Sequence, residues 1–264
     1  MTSNALKKEN NIRYETLLFQ RENGIGIITF NRPDRLNTIS SQILDELNSL
    51  LDEIESDALR VVILTGNKRS FCAGFDLKET MTPEISQKYN KLINRLESFC
   101  KPIIAAIDGY ALGGGCEIAL CCDLRVASET ASIGMPEVKV GIIPSGGVTY
   151  RLLPRIIGLG RAKEMLYLGE SLSGREAFNI GLVNRVAPPG KALDEAKKLA
   201  GILLDRPPLS IKAIKNCVQA GTQLDSEGAA NFVMNAANLL RPTEDYIEGR
   251  KAFQEKRKPI WKGK

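Results

Sequence analysis

Histidine is absent from all 264 residues of the chain, so proton transfer must fall to carboxylates, Lys, Tyr or Cys. That one absence excludes Ser-His-Asp and Cys-His nucleophile systems, histidine bases and histidine metal ligands together. Two glutamates stand out for the company they keep. Glu117 follows Gly109-Tyr110-Ala111-Leu112-Gly113-Gly114-Gly115-Cys116 and precedes Ile118, Ala119 and Leu120. Glu137 lies within Ile133-Gly134-Met135-Pro136-Glu137-Val138. A carboxyl group among apolar neighbours loses solvation and its pKa rises, which suits proton transfer near neutral pH. Taken singly, each glutamate fits a solvated or salt-bridged structural role better. Two of them near a glycine-rich segment shift the balance toward acid–base chemistry.

The triplet Gly113 to Gly115 admits two readings. Opening a helix, its free N–H groups would favour an anion or a developing oxyanion. Alternatively, the glycines only let a helix pack tightly against a sheet. The spacing is neither a dinucleotide fingerprint nor a P-loop. The six cysteines form no C-x-x-C pair, and after the adjacent Cys121 and Cys122 the closest pair is Cys116 and Cys121. No metal site is expected from that inventory.

Several elements must position these residues. Thr16 to Glu22 and Ile25 to Phe30 flank Asn23-Gly24 and read as a β-hairpin. Ile43, Leu47, Leu50, Leu51 and Ile54 fall on one face of a helix. Val61 to Gly66 and Pro102 to Gly109 are short apolar runs of the kind buried in a doubly covered parallel sheet. Between them Thr82-Pro83-Glu84 starts a helix, with Thr as N-cap and Pro in the first turn, running to about Phe99. A short apolar helix over Gly114 to Leu120 and a strand over Asp123 to Ala127 follow. The segments Ser70 to Leu77 and Gly109 to Glu117 read as loops leaving the carboxyl ends of neighbouring strands, where open α/β sheets bind ligands. From about Gly158 the pattern turns helical, with a capping box at Ser173-Gly174-Arg175-Glu176 and helices centred near 198, 214, 232 and 248. The expected architecture is an α/β core followed by a helical C-terminal region.

Composition agrees with a soluble globular chain, at 43% hydrophobic and 25% charged residues. A net charge of +5 is too weak an excess for nucleic acid, and the basic residues from Lys251 to Lys264 fit either a phosphorylated small molecule or a solvated face. Met1 to Arg21 carries no apolar signal-peptide core, no run approaches the ~18 apolar residues of a membrane span, and Trp261-Lys262-Gly263-Lys264 is not a peroxisomal address. The cytoplasm is the expected compartment, with no membrane or nucleic-acid partner.

Three motifs carry a family resemblance. Phe71-Cys72-Ala73-Gly74-Phe75-Asp76-Leu77-Lys78-Glu79, Asp108 to Glu117 and Met135 to Pro144 resemble the enoyl-CoA hydratase/isomerase (crotonase) superfamily, and most of all its enoyl-CoA hydratases. The similarity extends from about residue 14 to the tail at Phe253 to Pro259. It implies a crotonase-like spiral of ββα units over residues 1–200 and an α-helical trimerisation region over 201–264. It also implies a CoA thioester as substrate, no separate cofactor, and a homotrimer or a homohexamer built from two trimers. The N–H groups of Phe75 and Gly114 would form the oxyanion hole. Arg35, Leu36, Ala73, Asp76, Leu77, Lys78, Lys251 and Phe253 would contact the CoA. Family hydratases use two glutamates twenty residues apart, as Glu117 and Glu137 are here. Their joint presence favours hydration of a C2=C3 bond, or its reverse, over double-bond isomerisation. A cyclic dienoyl-CoA hydratase belongs to the same group of possibilities, and a non-catalytic acyl-CoA- or RNA-binding scaffold fits less well. Phe75 stands where simple short-chain hydratases often carry Ala, and so either narrows the acyl pocket or packs away from it.

Overall fold

A computed structural model describes residues 14–76 and 78–264. The chain opens with the expected hairpin, β1 (Leu17–Glu22) against β2 (Ile25–Phe30). Asn23 and Gly24 both adopt positive φ, 48° and 83°, as the tight turn between twisted strands requires. Helix α1 (Ser41–Glu55) is capped by the Ser40 hydroxyl and buries Ile43, Leu47, Leu50, Leu51 and Ile54, as its spacing predicts.

A unit of strand, short strand and helix then recurs. The three turns are β3 (Val61–Thr65), β4 (Ser70–Cys72) and α2 (Pro83–Ser98); β5 (Ile103–Ile107), β6 (Tyr110–Leu112) and α3 (Gly114–Cys121); and β7 (Leu124–Ser128), β8 (Ser132–Gly134) and α4 (Gly147–Leu168). This is the expected spiral of ββα units. The chain continues through β9 (Ser171–Ser173), α5 (Gly174–Asn179), β10 (Arg185–Ala187) and α6 (Ala192–Leu204), and ends with α7 (Pro208–Gly221), α8 (Ser226–Leu240) and α9 (Glu244–Gln254).

Each unit gives one strand to each of two sheets. The larger sheet runs β1-β2-β3-β5-β7-β10, parallel from β2 onward. Its central strands β2, β3 and β5 are almost wholly apolar because both faces are covered. On one face Val62, Leu64, Ile103, Ala105 and Ile107 meet the apolar stripes of α1, α2 and α3. On the other, Ile63, Ile104 and Val126 meet Ala192, Ala196, Leu199 and Ala200 of α6.

The smaller sheet, β4-β6-β8-β9, departs from the sequence reading. Residues 70–72 and 110–112 are paired parallel strands, not loops, and they hold the flanking segments side by side. Three residues are too few to display a period of two, so the sequence carries no strand signal there. The helical region also begins earlier than expected, at Gly147. Pro154 lies inside α4, and Gly158, at φ 80° and ψ 157°, marks a break between two helical pieces, not the start of one. The boundary expected at residue 200 falls inside α6, whose apolar face is part of the core; the chain leaves the sheet only after Leu204. Beyond it, α7 and α8 contain no fully buried residue and α9 buries only Asp245 and Ala252. No described helix is long and apolar enough to cross a membrane.

Candidate active site

Helix α3 lies at the centre of the site. Its eight residues are all buried, Glu117 included at 1% exposure. Such a carboxyl must be hydrogen-bonded or neutral. Glu117 is richly bonded: Oε1 accepts from the Gly146 N–H at 3.0 Å and the Thr149 hydroxyl at 2.6 Å, and Oε2 accepts from the Tyr89 hydroxyl at 2.8 Å. Burial still pushes its pKa up, and the bonds from Thr149, Tyr89 and Gly146 partly offset that rise. Glycine at 146 leaves room for the Glu117 carboxyl in this position, since a Cβ would stand 2.6 Å from Glu117 Oε1.

Glu137 opens a short 3-10 turn (Pro136–Val140) directly after β8. A Cβ on Gly113 would stand 2.8 Å from Glu137 Oε1, so the second carboxyl lies against the residue that caps α3. Gly113 has φ 50° and ψ −122°, a backbone that only glycine adopts readily. The structure therefore brings both predicted glutamates to the N-terminus of one helix. Their surroundings differ sharply. Glu137 Oε2 is shielded from solvent and, among the described residues, meets no donor. Burial raises its pKa, its own backbone N–H lowers it, and the negative charge of Glu117 raises it further.

The two N–H groups singled out from the sequence also come together. Ile39 donates to the Gly74 carbonyl and accepts from Asp76 N–H, so this bridge uses the two peptide groups flanking Phe75 and leaves Phe75 N–H, trans to the Gly74 carbonyl, pointing away from Ile39. A Cβ on Gly74 would lie 3.6 Å from the Gly114 nitrogen, which puts the two segments in contact. Gly114 is the first residue of α3, where no intrahelical acceptor exists. Among the described residues, neither N–H donates to a protein acceptor. The ring of Phe75 turns inward. It packs edge-on against Tyr89 with centroids 4.7 Å apart, beside the positions of Gly114 and Ile39.

A second loop braces this arrangement. Ala73 N–H donates to the Leu36 carbonyl at 3.1 Å, and Leu36 and Asn37 both sit in the left-handed region. The Asn37 amide, fully buried, donates to the Ser70 and Phe71 carbonyls at 2.8 and 3.3 Å. The Asp76 carboxylate is engaged by Arg32 at 3.2 Å. Burial pushes its pKa up, but the Lys78 backbone N–H and Arg32 outweigh that and hold it below the usual range. Arg35 and Lys78 are exposed alongside, and Leu77 lies outside the described residues. Lys251 and Phe253 are elsewhere. Both are exposed on α9, Phe253 at 86%, and no described hydrogen bond or ion pair links them to the glutamates within one chain. Of the basic tail, Arg257 is committed to Glu248 at 2.6 and 2.8 Å.

Sequence reasoning missed Tyr89, Thr149, Gly146 and Asn37. Tyr89 falls on the buried stripe of α2 with Leu92, Ile93 and Leu96, which makes it look like an ordinary core aromatic. Among the described residues, no cluster of three His, Cys, Asp or Glu could hold a metal ion.

Comparison with known proteins shows the family to which this fold belongs. The family described as enoyl-CoA hydratase/isomerase matches residues 20–264. A short-chain-enoyl-CoA hydratase from Clostridium acetobutylicum is 40% identical over 250 residues, covering 92% of this chain and 95% of that protein. A 2,3-dehydroadipyl-CoA hydratase from Escherichia coli is 37% identical, covering 94% of this chain and 99% of its own. The crystal structure of an enoyl-CoA hydratase from Bacillus anthracis superposes with a TM-score of 0.90 at 37% identity, covering 95% of this chain and all of that one. The chain belongs to the enoyl-CoA hydratase/isomerase family.

Proposed function

We propose that the chain adds water across the C2=C3 bond of an enoyl-CoA thioester, and removes it in reverse, with Glu117 as base and Glu137 as acid. The observation that carries this reading is the unequal treatment of two carboxyls at one helix N-terminus. Three donors favour the charged form of Glu117 against its burial, while Glu137 has a buried oxygen that meets no donor among the described residues and the charge of Glu117 nearby. A carboxylate has about four acceptor sites, so one remains on Glu117 for a water molecule. In this reading the pair shares one proton, and the missing donor and the neighbouring charge support Glu137 as its holder.

The chemistry follows from that proton inventory. The thioester carbonyl accepts from Phe75 and Gly114 N–H, and electron density drawn toward its oxygen leaves C3 electrophilic. Glu117 takes a proton from water as the oxygen bonds to C3, and an enolate develops on the thioester. Glu137 then gives its proton to C2, so water is added in full and the pair's one proton ends on Glu117. Preorganised donors at such an oxyanion are worth about 3–4 kcal/mol of barrier each. The scheme calls for no cofactor beyond the CoA that the substrate carries.

The CoA runs along Arg35, Leu36, Ala73, Asp76, Leu77 and Lys78, beside the Phe75 donor. Lys251 and Phe253 reach it from a neighbouring subunit, since one chain does not bring them there. Ile214, Val218, Leu239 and Phe253, all exposed on α7–α9, support an apolar interface that closes a trimer or a dimer of trimers. Six unpaired cysteines support a cytoplasmic setting. Product analysis tests the function: crotonyl-CoA should give 3-hydroxybutyryl-CoA. Conversion of a 3-enoyl-CoA to the conjugated isomer without hydration of crotonyl-CoA would instead identify an isomerase.

A further inference from the structure

We propose that Tyr89 is a positioning residue of this reaction, tying the general base to both N–H donors of the oxyanion hole. Three contacts carry the inference. Its hydroxyl lies 2.8 Å from Glu117 Oε2 and 3.1 Å from the Gly114 carbonyl oxygen, and its ring meets the Phe75 ring edge-on at 4.7 Å. One side chain on α2 thus touches the base, the residue supplying one donor and the residue supplying the other. The inference rests on the hydratase reading for its catalytic consequence, but the hydrogen bond itself can be tested without substrate.

A buried phenol needs a hydrogen-bond partner, and the Gly114 carbonyl alone would satisfy it. The shorter approach to Glu117 gives it a second task. Tyr89 has one proton for two acceptors, and a charged carboxylate is the stronger of the two. Burial and the Glu117 charge raise the phenol pKa well above its ordinary value, so the hydroxyl remains a donor across the working range. It fixes Oε2 while Gly146 and Thr149 fix Oε1, which orients the remaining acceptor site toward water. The ionisable groups that act on the phenol are Glu117 and Cys121 on α3 and Cys72 on β4, while Cys116, Glu137 and Tyr150 lie within the field of Glu117. Burial pushes the three thiols up, so Glu117 is the partner that the phenol responds to.

The decisive experiment pairs Tyr89→Phe with site-specific 3-fluorotyrosine at 89, which keeps the side chain's shape and strengthens the donor. Two quantities are followed against pH: kcat/KM for crotonyl-CoA, and the infrared carboxyl band that Glu117→Gln removes. Losing a donor to the charged form should raise the Glu117 pKa, moving the acid limb and the infrared midpoint up together by about one pH unit. In Tyr89→Phe, kcat should fall about tenfold with little change in KM, and fluorotyrosine should move both midpoints the opposite way. Unchanged midpoints in both proteins overturn the proposal and leave Tyr89 a core residue. An infrared midpoint shifted by Tyr89→Phe, in a protein whose wild type does not hydrate enoyl thioesters, would refute the hydratase reading while retaining the clamp. If the phenylalanine variant misfolds, the fluorotyrosine protein decides alone.

Discussion

At the scale of single residues, the site depends on a carboxylate that is costly to bury and whose charge three donors only partly compensate. Gly146→Ala tests the space it needs. With φ at −81° the backbone tolerates alanine, but the new Cβ would meet Glu117 Oε1 at 2.6 Å. The variant should stay folded and lose about 10²-fold in kcat through displacement of the base. The two carboxyls also carry a stability cost with a definite sign. Burial raises both pKa values, so the fold disfavours their charged forms. Stability is then greatest below the ordinary carboxylate pKa and declines as pH rises through the raised value. Glu137→Gln should therefore melt above wild type at pH 8, and the gap should close toward pH 4; melting curves at both pH values check this. A lower melting temperature at pH 8 would show that the ionised carboxylate is stabilised in the fold. Glu117 and Glu137 were legible in the sequence because a carboxylate inside an apolar run is chemically anomalous. Tyr89 and Thr149 were not, because an aromatic on an apolar stripe and a hydroxyl beside two glycines are what packing and loops produce anyway.

At the scale of elements, long periodic segments wrote themselves into the sequence and short ones did not. The spacing in α1 reports its buried face because every residue on that face sinks fully into the core. Leu47→Ala should accordingly destabilise the protein by about 2–5 kcal/mol, read as a lower denaturation midpoint. The three-residue strands β4, β6, β8 and β9 depend on neighbours far away in the chain, so no local pattern announces them. In the proposed mechanism they matter nevertheless, since pairing of β4 with β6 holds the segments that carry Phe75 and Gly114 side by side. Asn37 secures that geometry through the carbonyls of Ser70 and Phe71. Asn37→Ala removes one donor from the Ser70 carbonyl, which keeps the Asn67 N–H, and takes the Asn37 side chain from the Phe71 carbonyl and the Arg32 N–H. It should lower kcat/KM more than it lowers the melting temperature would imply. A loss of activity fully explained by unfolding would contradict this.

At the scale of the whole molecule, the helical tail is unfinished business for a lone chain. Apolar side chains remain exposed on α7–α9, and the two CoA contacts expected from α9 stand apart from the glutamates. Sedimentation velocity should give a trimer or hexamer, and Lys251→Ala should raise KM with kcat unchanged. A stable monomer with full activity would refute the shared site. The spiral of ββα units and the succession of terminal helices could be anticipated from sequence, because they follow from segment order and family motifs. The second sheet and the break at Gly158 could not, because they arise only when distant segments meet. The central claim is the division of labour between Glu117 and Glu137, and the most direct measurement is the loss of crotonyl-CoA absorbance by wild type, Glu117→Gln and Glu137→Gln. Rapid loss in wild type, slowed about 10²–10⁴-fold by each substitution in folded protein, is the predicted result. Hydration that survives either substitution at near wild-type rate would contradict it.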